Sequence, residues 1–256
     1  MDSQAGTKRV AMMDIFKPSW YIEQMKGWSK NSYRLLLFGL AVILITTLAS
    51  PINFDSIMTM LAGMLGFTCT ISITNGKPLN GALGLLSALI YIYVAFISKN
   101  YNDMLLQTTY IMLLDLPVLL NPLWAKNVEA HIKSLTVKGN SKKTAIHWGL
   151  VALAFAIIFA LLMLWETNFT DSPRPLIDSL AATIGITGAI LTTLRFKDTY
   201  FFWTAQGLFS ITLWGITAYQ GGANWVLFLT YICYLANDMV SFFDKGTPWF
   251  HTKKVE

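Results

Sequence analysis

The chain has 256 residues and a formal net charge of +5, and 54% of its residues are hydrophobic while only 13% are charged. Soluble domains carry roughly 25% charged residues, so this composition excludes an ordinary soluble domain and indicates a membrane protein. No nucleic-acid-binding pattern accompanies the positive charge, which we attribute to membrane topology and attraction to lipid headgroups. Cys69 and Cys233 lie inside predicted membrane helices, where no disulfide framework is expected.

Residues 1–34 precede the first apolar stretch and are predicted to form a cytoplasmic segment. Within them Ile15, Trp20 and Ile22 alternate with Lys17 and Lys26, the pattern of a basic amphipathic helix lying on a membrane surface. A loosely ordered tail is the alternative. The apolar stretch that follows begins only at residue 35 and has no small-residue cleavage motif after it, so a retained helix is predicted instead of a signal peptide.

Eight apolar stretches then alternate with polar connectors. Most of them approach the ~20 residues that a helix needs to cross ~30 Å of hydrocarbon. They cover residues 35–50, 55–74, 79–97, 103–122, 145–165, 176–194, 199–219 and 223–243. Residues 244–256 are left as a cytoplasmic tail.

Lysine and arginine are distributed unevenly over the connectors. Counted from a cytoplasmic N-terminus, 17 of the 19 fall in the two ends and in alternate connectors, while only Lys99 and Arg174 fall in the others. Cytoplasmic loops of membrane proteins carry this excess of basic residues. Both termini are therefore predicted to be cytoplasmic.

An internal repeat relates the two halves of the chain at a shift of 122 to 123 residues. The matched pairs are Gly63 with Gly185, Gly66 with Gly188, Gly84 with Gly207, Ser87 with Ser210, Tyr91 with Trp214, and Asp115 with Asp238. Three helices reverse the direction of a chain through the membrane, so a fourth must restore it before a parallel copy can follow. The repeat therefore predicts two copies of a three-helix unit, separated by one linker helix.

We accordingly predict an all-α polytopic membrane protein with eight transmembrane helices. Residues 35–50 are the accessory helix, residues 55–122 and 176–243 are two parallel three-helix bundles, and residues 145–165 are the linker helix. This 3+1+3 core is the arrangement of the sugar-efflux (SWEET) type of transporter, in which substrate binds between the repeats near the midplane.

Two stripes with helical spacing mark the surfaces expected to face that site. They are Asn80, Gly84, Ser87 and Tyr91 in one half, and Trp203, Gly207, Ser210 and Trp214 in the other. The alternative for the glycines and serines is close helix packing.

Gln107 and Tyr110 share a face of another helix, and Asn237 lies on the equivalent one. An unpaired amide in hydrocarbon costs several kcal/mol, so Gln107 and Asn237 must contact substrate or form interhelical hydrogen bonds.

Asp115 and Asp238 are carboxylates inside predicted membrane helices, which makes each a functional candidate. Proton coupling, substrate binding, gating and capping of a neighbouring backbone are the alternatives. Pro117 frees a backbone carbonyl one turn earlier and can bend the helix. This favours a gate or hinge role for Asp115, Pro117 and Asp238.

No enzyme is predicted. The three histidines form no ligand cluster, the two aspartates lack the sequence context of an intramembrane protease, and no phosphate-binding glycine loop occurs. Catalytic residues, metal sites and cofactors are therefore not assigned.

Residues 75–117 carry a family resemblance. They contain Gly76-Lys77, Gly84, Tyr91 and the run YNDMLLQ at 101–107, which leads to Tyr110. This segment resembles the PnuC family of bacterial nicotinamide riboside transporters, although after Tyr110 the chain continues as IMLLDLP where many members have an aromatic run. The resemblance implies facilitated diffusion of the riboside across the bacterial inner membrane. It also implies trapping by a cytoplasmic riboside kinase, as a step of NAD biosynthesis.

Nicotinamide riboside is a flat pyridinium cation that carries a carboxamide and a ribose. Aromatic faces bind such a ring by stacking and cation–π attraction, and amides or hydroxyls pair its polar groups. The predicted contacts are Tyr91, Tyr110, Trp203 and Trp214 for the ring, and Asn80, Gln107, Ser210 and Asn237 for the polar groups. Thiamine or riboflavin is the alternative substrate, and a channel or structural interaction protein is the alternative class. The oligomeric state stays open, a homo-oligomer included.

Overall fold

A computed structural model describes residues 14–121 and 131–251, and within them the protein is helical, with a single isolated β-bridge between Lys133 and Phe196. The helices are α1 (Pro18–Gln24), α2 (Lys30–Leu48), α3 (Phe54–Thr74), α4 (Leu79–Ile97), α5 (Tyr101–Tyr110), a π turn (Ile111–Asp115), α6 (Leu116–Leu120), α7 (Ser141–Phe169), α8 (Pro175–Thr193), α9 (Thr199–Tyr219) and α10 (Val226–Phe243). Predictions for residues 1–13, 122–130 and 252–256 lie outside the described residues.

Seven helices are long and apolar enough to cross a membrane, with α5, the π turn and α6 counted as one span. The prediction of an all-α polytopic membrane protein is therefore confirmed. Helix α9 is also long enough, at 21 residues, but lies outside this set. Its inward face carries Thr204, Gln206 and Ser210, and these polar side chains make the helix less apolar.

Helix ends differ from the predicted ones where a polar side chain caps the helix earlier. The Ser29 side chain accepts a hydrogen bond from Ser32 N, so α2 begins five residues before the predicted span. Asn140 caps α7 through Lys143 N in the same way, and α7 extends over 29 residues. Hydropathy detects the apolar part of such a helix and misses its polar ends.

The helices pack as two sets that meet along two seams. One set contains α3, α4 and α5, and the other contains α8, α9 and α10. Helix α3 packs against α10, and α5 packs against α8. The internal repeat relates α3 to α8 and α5 to α10, so it converts each seam into the other. Helix α2 lies on α3 and α10, while α7 lies on α8, so each seam has one additional helix beside it.

Repeat-related glycines permit the close approach at both seams. A Cβ added to Gly63 would lie 3.1 Å from Thr230 Oγ1 on α10, and one added to Gly185 would lie 2.7 Å from Tyr110 Oη on α5. Neither position accommodates a larger residue without a shift. These glycines therefore have a packing role at the two seams.

Pro117 interrupts the hydrogen bonding of its helix. Proline has no backbone N–H, which frees the carbonyl of Leu113 four residues earlier. Thr193 of α8 donates a hydrogen bond of 2.8 Å to that carbonyl, and the chain forms a π turn at Ile111–Asp115. The irregular turn is thus stabilised by a hydrogen bond from the opposite helix set.

One face of the molecule carries both ends of the described chain, and we call it the terminal face. Ser29 N donates to Asn75 Oδ1 at the turn between α3 and α4, and Gly246 packs against Ser29. The predicted amphipathic segment forms the short helix α1, whose Trp20 and Tyr21 pack on the core. The face with the α4–α5 and α7–α8 connections is called the opposite face.

Candidate functional site

A cavity lies between the two helix sets. Its volume is about 110 Å³, many times the ~10–15 Å³ that one water molecule needs. Seven of the residues selected from the sequence line it: Tyr91, Gln107, Tyr110, Asp115, Trp203, Asn237 and Asp238. The stripe residues Gly84 and Ser87 also line it, and residues that the sequence did not select as site candidates complete the wall, including Cys69, Thr74, Tyr200, Gln206, Tyr231 and Tyr234.

Four selected residues lie elsewhere. Trp214 is fully buried behind the cavity wall and packs edge-on against Tyr91, with ring centroids 5.7 Å apart. Ser210 is also buried and accepts a 3.0 Å hydrogen bond from Gln206. Asn80 and Pro117 border a separate small recess next to Trp249 at the terminal face. The two stripes lie on α4 and α9, which both border the cavity, and the rotation of each helix about its axis selects which members reach it.

Aromatic rings form much of the cavity wall. Tyr110 of α5 and Trp203 of α9 meet edge-to-face across the two helix sets, with centroids 5.6 Å apart. The Trp203 indole is held by a 3.2 Å hydrogen bond to Thr192. Tyr231 and Tyr234 make a second edge-to-face pair at 5.1 Å. Such rings offer flat apolar surfaces to a planar ligand.

Three buried polar atoms of this wall have no hydrogen-bond partner among the described residues. They are Tyr110 Oη, Asp115 Oδ2 and Asn237 Oδ1. The Asn237 amide nitrogen is already engaged, because it donates 2.8 Å to Thr74 Oγ1, and this leaves the amide oxygen as an acceptor. Buried polar atoms are nearly always paired in native proteins. The cavity is therefore prepared for a ligand with N–H or O–H donors.

Hydrogen bonds join the two helix sets on the opposite-face side of the cavity. Tyr91 Oη and Trp214 Nε1 each donate 2.9 Å to Asp103 Oδ2, and the Tyr91 and Tyr231 hydroxyls lie 3.0 Å apart. We call these four residues the opposite-face junction. Tyr91 and Trp214 are repeat-related, so the two halves converge on one carboxylate oxygen.

Sequence reasoning missed Asp103, because it is the first residue of its predicted span and resembles an ordinary helix-end acid. In the structure its side chain is fully buried. The signal that could have identified it is its position directly after Asn102, within the run that carries the family resemblance.

A buried polar network supports this junction from behind. The two Asp178 carboxylate oxygens accept 2.9 Å hydrogen bonds from the backbone N–H groups of Asn102 and Asp103, which caps α5 from another helix. The Asn102 amide donates to Glu166, the buried residue of α7, and 2.8 Å to Ser179. Sequence reasoning missed Asp178 and Glu166 as well, because partners 64 to 76 residues apart leave no local pattern.

The two basic residues of the opposite face are both engaged. Arg174 Nη1 donates 2.5 Å to Gln220, and its Nε and Nη2 donate 3.1 and 2.9 Å to Asn100 Oδ1, so it connects three loops. Burial lowers the pKa of Arg174 below its ordinary value. Lys99 forms an ion pair with Asp171, and this contact, followed by the Tyr101 hydroxyl, lowers the pKa of Asp171.

A second set of contacts joins the helix sets at the terminal face. Thr74 Oγ1 at the end of α3 accepts from Asn237 Nδ2, lies 3.1 Å from Ser241 Oγ and lies 3.3 Å from Tyr200 Oη. Trp249, only 2% exposed, donates 2.9 Å to the Ile73 carbonyl and packs on Tyr200 at 5.5 Å. We call these five side chains, those of Thr74, Tyr200, Asn237, Ser241 and Trp249, the terminal-face junction. The cavity thus lies between two polar junctions.

Comparison with known proteins identifies relatives over most of the chain. The model of the nicotinamide mononucleotide transporter family matches residues 56–249. The nicotinamide riboside transporter PnuC of Neisseria mucosa is 24% identical over 226 residues, which cover 87% of this chain and 83% of the relative. The protein of the same name from Haemophilus influenzae is 25% identical over 197 residues, covering 74% and 79%.

A solved structure shares the fold. The crystal structure of the vitamin B3 transporter PnuC superposes with a TM-score of 0.68, covering 91% of this chain and 96% of that chain at 23% identity. The resemblance of residues 75–117 to the PnuC family is therefore confirmed.

Proposed function

Because this chain belongs to the nicotinamide mononucleotide transporter family, we propose that it carries nicotinamide riboside across the bacterial inner membrane by facilitated diffusion. The observation that carries the proposal is the cavity between the two helix sets, with its aromatic walls and its three unpartnered polar atoms. The pyridinium ring lies against the Tyr110 and Trp203 rings, and the carboxamide and ribose donate to Tyr110 Oη and Asn237 Oδ1. Phosphorylation by a cytoplasmic kinase then traps the riboside.

The charge of the cavity favours the riboside over its phosphorylated form. Among the described residues that line the cavity there is no Lys, Arg or His, whereas Asp115 and Asp238 are present. A phosphate group buried beside two carboxyl groups would lack a counterion, and uncompensated buried charge is strongly disfavoured. A singly charged cationic ring fits the same surroundings.

The proposed architecture has eight spans and cytoplasmic termini. Helix α9 crosses the membrane with its polar face on the cavity, residues 35–50 form the accessory helix, and residues 55–122 and 176–243 form two parallel bundles joined by the linker at 145–165. This proposal is supported by the exchange of the two seams under the repeat. The terminal face is then cytoplasmic, where most Lys and Arg residues lie.

Transport follows from opening one junction at a time. Riboside from outside enters while the opposite-face junction is open, and it leaves to the cytoplasm when the terminal-face junction opens. Ligand contacts with the aromatic wall and the polar atoms offset the free-energy cost of separating the two helix sets.

Binding to the purified protein tests this function. Isothermal titration calorimetry with nicotinamide riboside, nicotinamide mononucleotide and thiamine should give saturable binding of the riboside and at least about tenfold weaker binding of the other two. Preference for the mononucleotide would contradict the charge argument. Preference for thiamine would support the alternative vitamin substrate.

A further inference from the structure

Asp115 occupies an unusual position in the cavity wall. It is the last residue of the π turn, only 3% of it is exposed, and its Oδ2 atom has no hydrogen-bond partner in the described part of the chain. Its carboxyl group packs on Gly84 of α4 so closely that a Cβ at position 84 would overlap it. π turns inside α-helices occur frequently at functional sites. The carboxyl group is therefore held in place by packing and not by a polar partner.

The repeat-related Asp238 shows what Asp115 lacks. Asp238 Oδ2 lies 3.3 Å from the Thr204 hydroxyl of its own bundle, whose single proton is shared between this carboxylate and the Tyr200 carbonyl at 2.8 Å. At the repeat shift of 123 residues, the counterpart of Thr204 is Gly81, which has no side-chain donor. The two halves thus share the carboxylate, but among the described residues a hydroxyl lies beside it in the second half and none does in the first.

A buried carboxylate without a donor or counterion is strongly disfavoured in a medium of low dielectric constant. No Lys, Arg or His is present among the described residues that line the cavity, so these residues offer no counterion there. A cationic ligand would supply the missing countercharge. The Tyr110 ring, which lines the same cavity five residues earlier in the chain, provides the face against which a flat cation can lie.

We infer that Asp115 is the residue by which the cavity selects a positively charged ring, acting as the counterion of the substrate pyridinium. This inference rests on the proposed function and adds a specificity determinant to it. Shape and hydrogen bonding then select the riboside among flat ligands, and Asp115 selects its charged form.

The test compares two ligands that differ mainly in charge. Nicotinamide riboside carries the pyridinium cation, and its 1,4-dihydro form has nearly the same size and the same donors but is neutral. Their dissociation constants are measured by calorimetry at one pH for the wild type, Asp115→Asn and Asp115→Ala. Asp55→Asn is the matched control, because it makes the same carboxylate-to-amide change at an exposed residue outside the cavity.

The expected result is a preference for the cation in the wild type and in Asp55→Asn. The preference is expressed as the dissociation constant of the neutral form divided by that of the cation. In both Asp115 variants this ratio should fall at least about tenfold, equivalent to about 1.4 kcal/mol. Affinity for the neutral form should stay within about threefold of the wild-type value, which also shows that each variant is folded.

Three outcomes overturn the inference. The ratio could stay within about threefold of wild type in both Asp115 variants although the neutral form still binds. The ratio could instead fall in Asp238→Asn and not at Asp115, which would assign charge selection to the other carboxylate. If the wild-type protein binds neither ligand, the proposed function itself fails, and this result is distinct from a binding protein that is indifferent to charge.

Discussion

Replacing Trp214 by Phe should open the cavity toward the opposite face. The substitution keeps an aromatic ring in the fully buried site but removes the indole N–H, which donates 2.9 Å to Asp103 Oδ2. A hydrogen bond to a charged group contributes about 1.5–3 kcal/mol. If the bond exists only while the junction is closed, its loss shifts the equilibrium toward the open form by about 10-fold to 150-fold.

A native thiol reports this shift. Cys69 lines the cavity and is a free buried cysteine, whereas Cys233 is outside the lining and can be replaced by Ser to leave one thiol. The labelling rate of Cys69 by a membrane-impermeant thiol reagent, added outside intact cells, should rise at least about tenfold in Trp214→Phe. Tyr91→Phe removes the other donor to the same oxygen and should raise the rate similarly.

Trp225→Phe is the matched control, since Trp225 lies on the same face but is 45% exposed and contacts Phe228, outside the junction. In Trp225→Phe the labelling rate of Cys69 should equal that in the parent protein, which carries only the Cys233→Ser change. Rates within about twofold of the parent for both Trp214→Phe and Tyr91→Phe, with Cys69 fully reactive after denaturation, would refute the assignment of these residues to a junction that closes the cavity.

Three further predictions concern the site, the π turn and the topology. Gln107→Leu should weaken riboside binding by about 1–3 kcal/mol in calorimetry, because a ligand polar group loses its partner; unchanged affinity in a folded variant would remove Gln107 from the site. Thr193→Val should lower the free energy of unfolding by about 1–3 kcal/mol, because the Leu113 carbonyl then lacks its donor, whereas Thr108→Val, at an exposed residue of α5, should have little effect. A cysteine at position 138 should react with impermeant reagents in inside-out vesicles and not in intact cells, and the reverse pattern would invert the proposed topology.

Much of the architecture follows from local signals. Hydropathy located the long helices because each apolar stretch is contiguous, and the pairing of Asp115 with Asp238 revealed the repeat that the two seams reflect. The freed carbonyl before Pro117 was also predictable, because proline always lacks the donor. Its partner Thr193 was not, since only the packing of α5 on α8 brings the two together.

The site was predictable to the level of helices and less so to the level of side chains. Helical spacing placed Tyr91 and Trp214 on equivalent stripes, yet Tyr91 lines the cavity and Trp214 stands behind it. A rotation of a few tens of degrees about a helix axis separates these outcomes, and the amino-acid pattern does not specify it. Asp103 resembles an ordinary helix-end acid in the sequence, and the partner of Trp249 lies 176 residues away in the chain.

Uptake into proteoliposomes that contain the purified protein tests whether nicotinamide riboside crosses the membrane by facilitated diffusion. Radiolabelled riboside should enter saturably until its internal concentration equals the external one, and empty liposomes should show no such uptake. An imposed pH or sodium gradient should leave this end point unchanged, because no Lys, Arg or His among the described cavity residues offers a relay partner to Asp115. Accumulation above the external concentration, driven by the gradient and abolished in Asp115→Asn, would contradict the account.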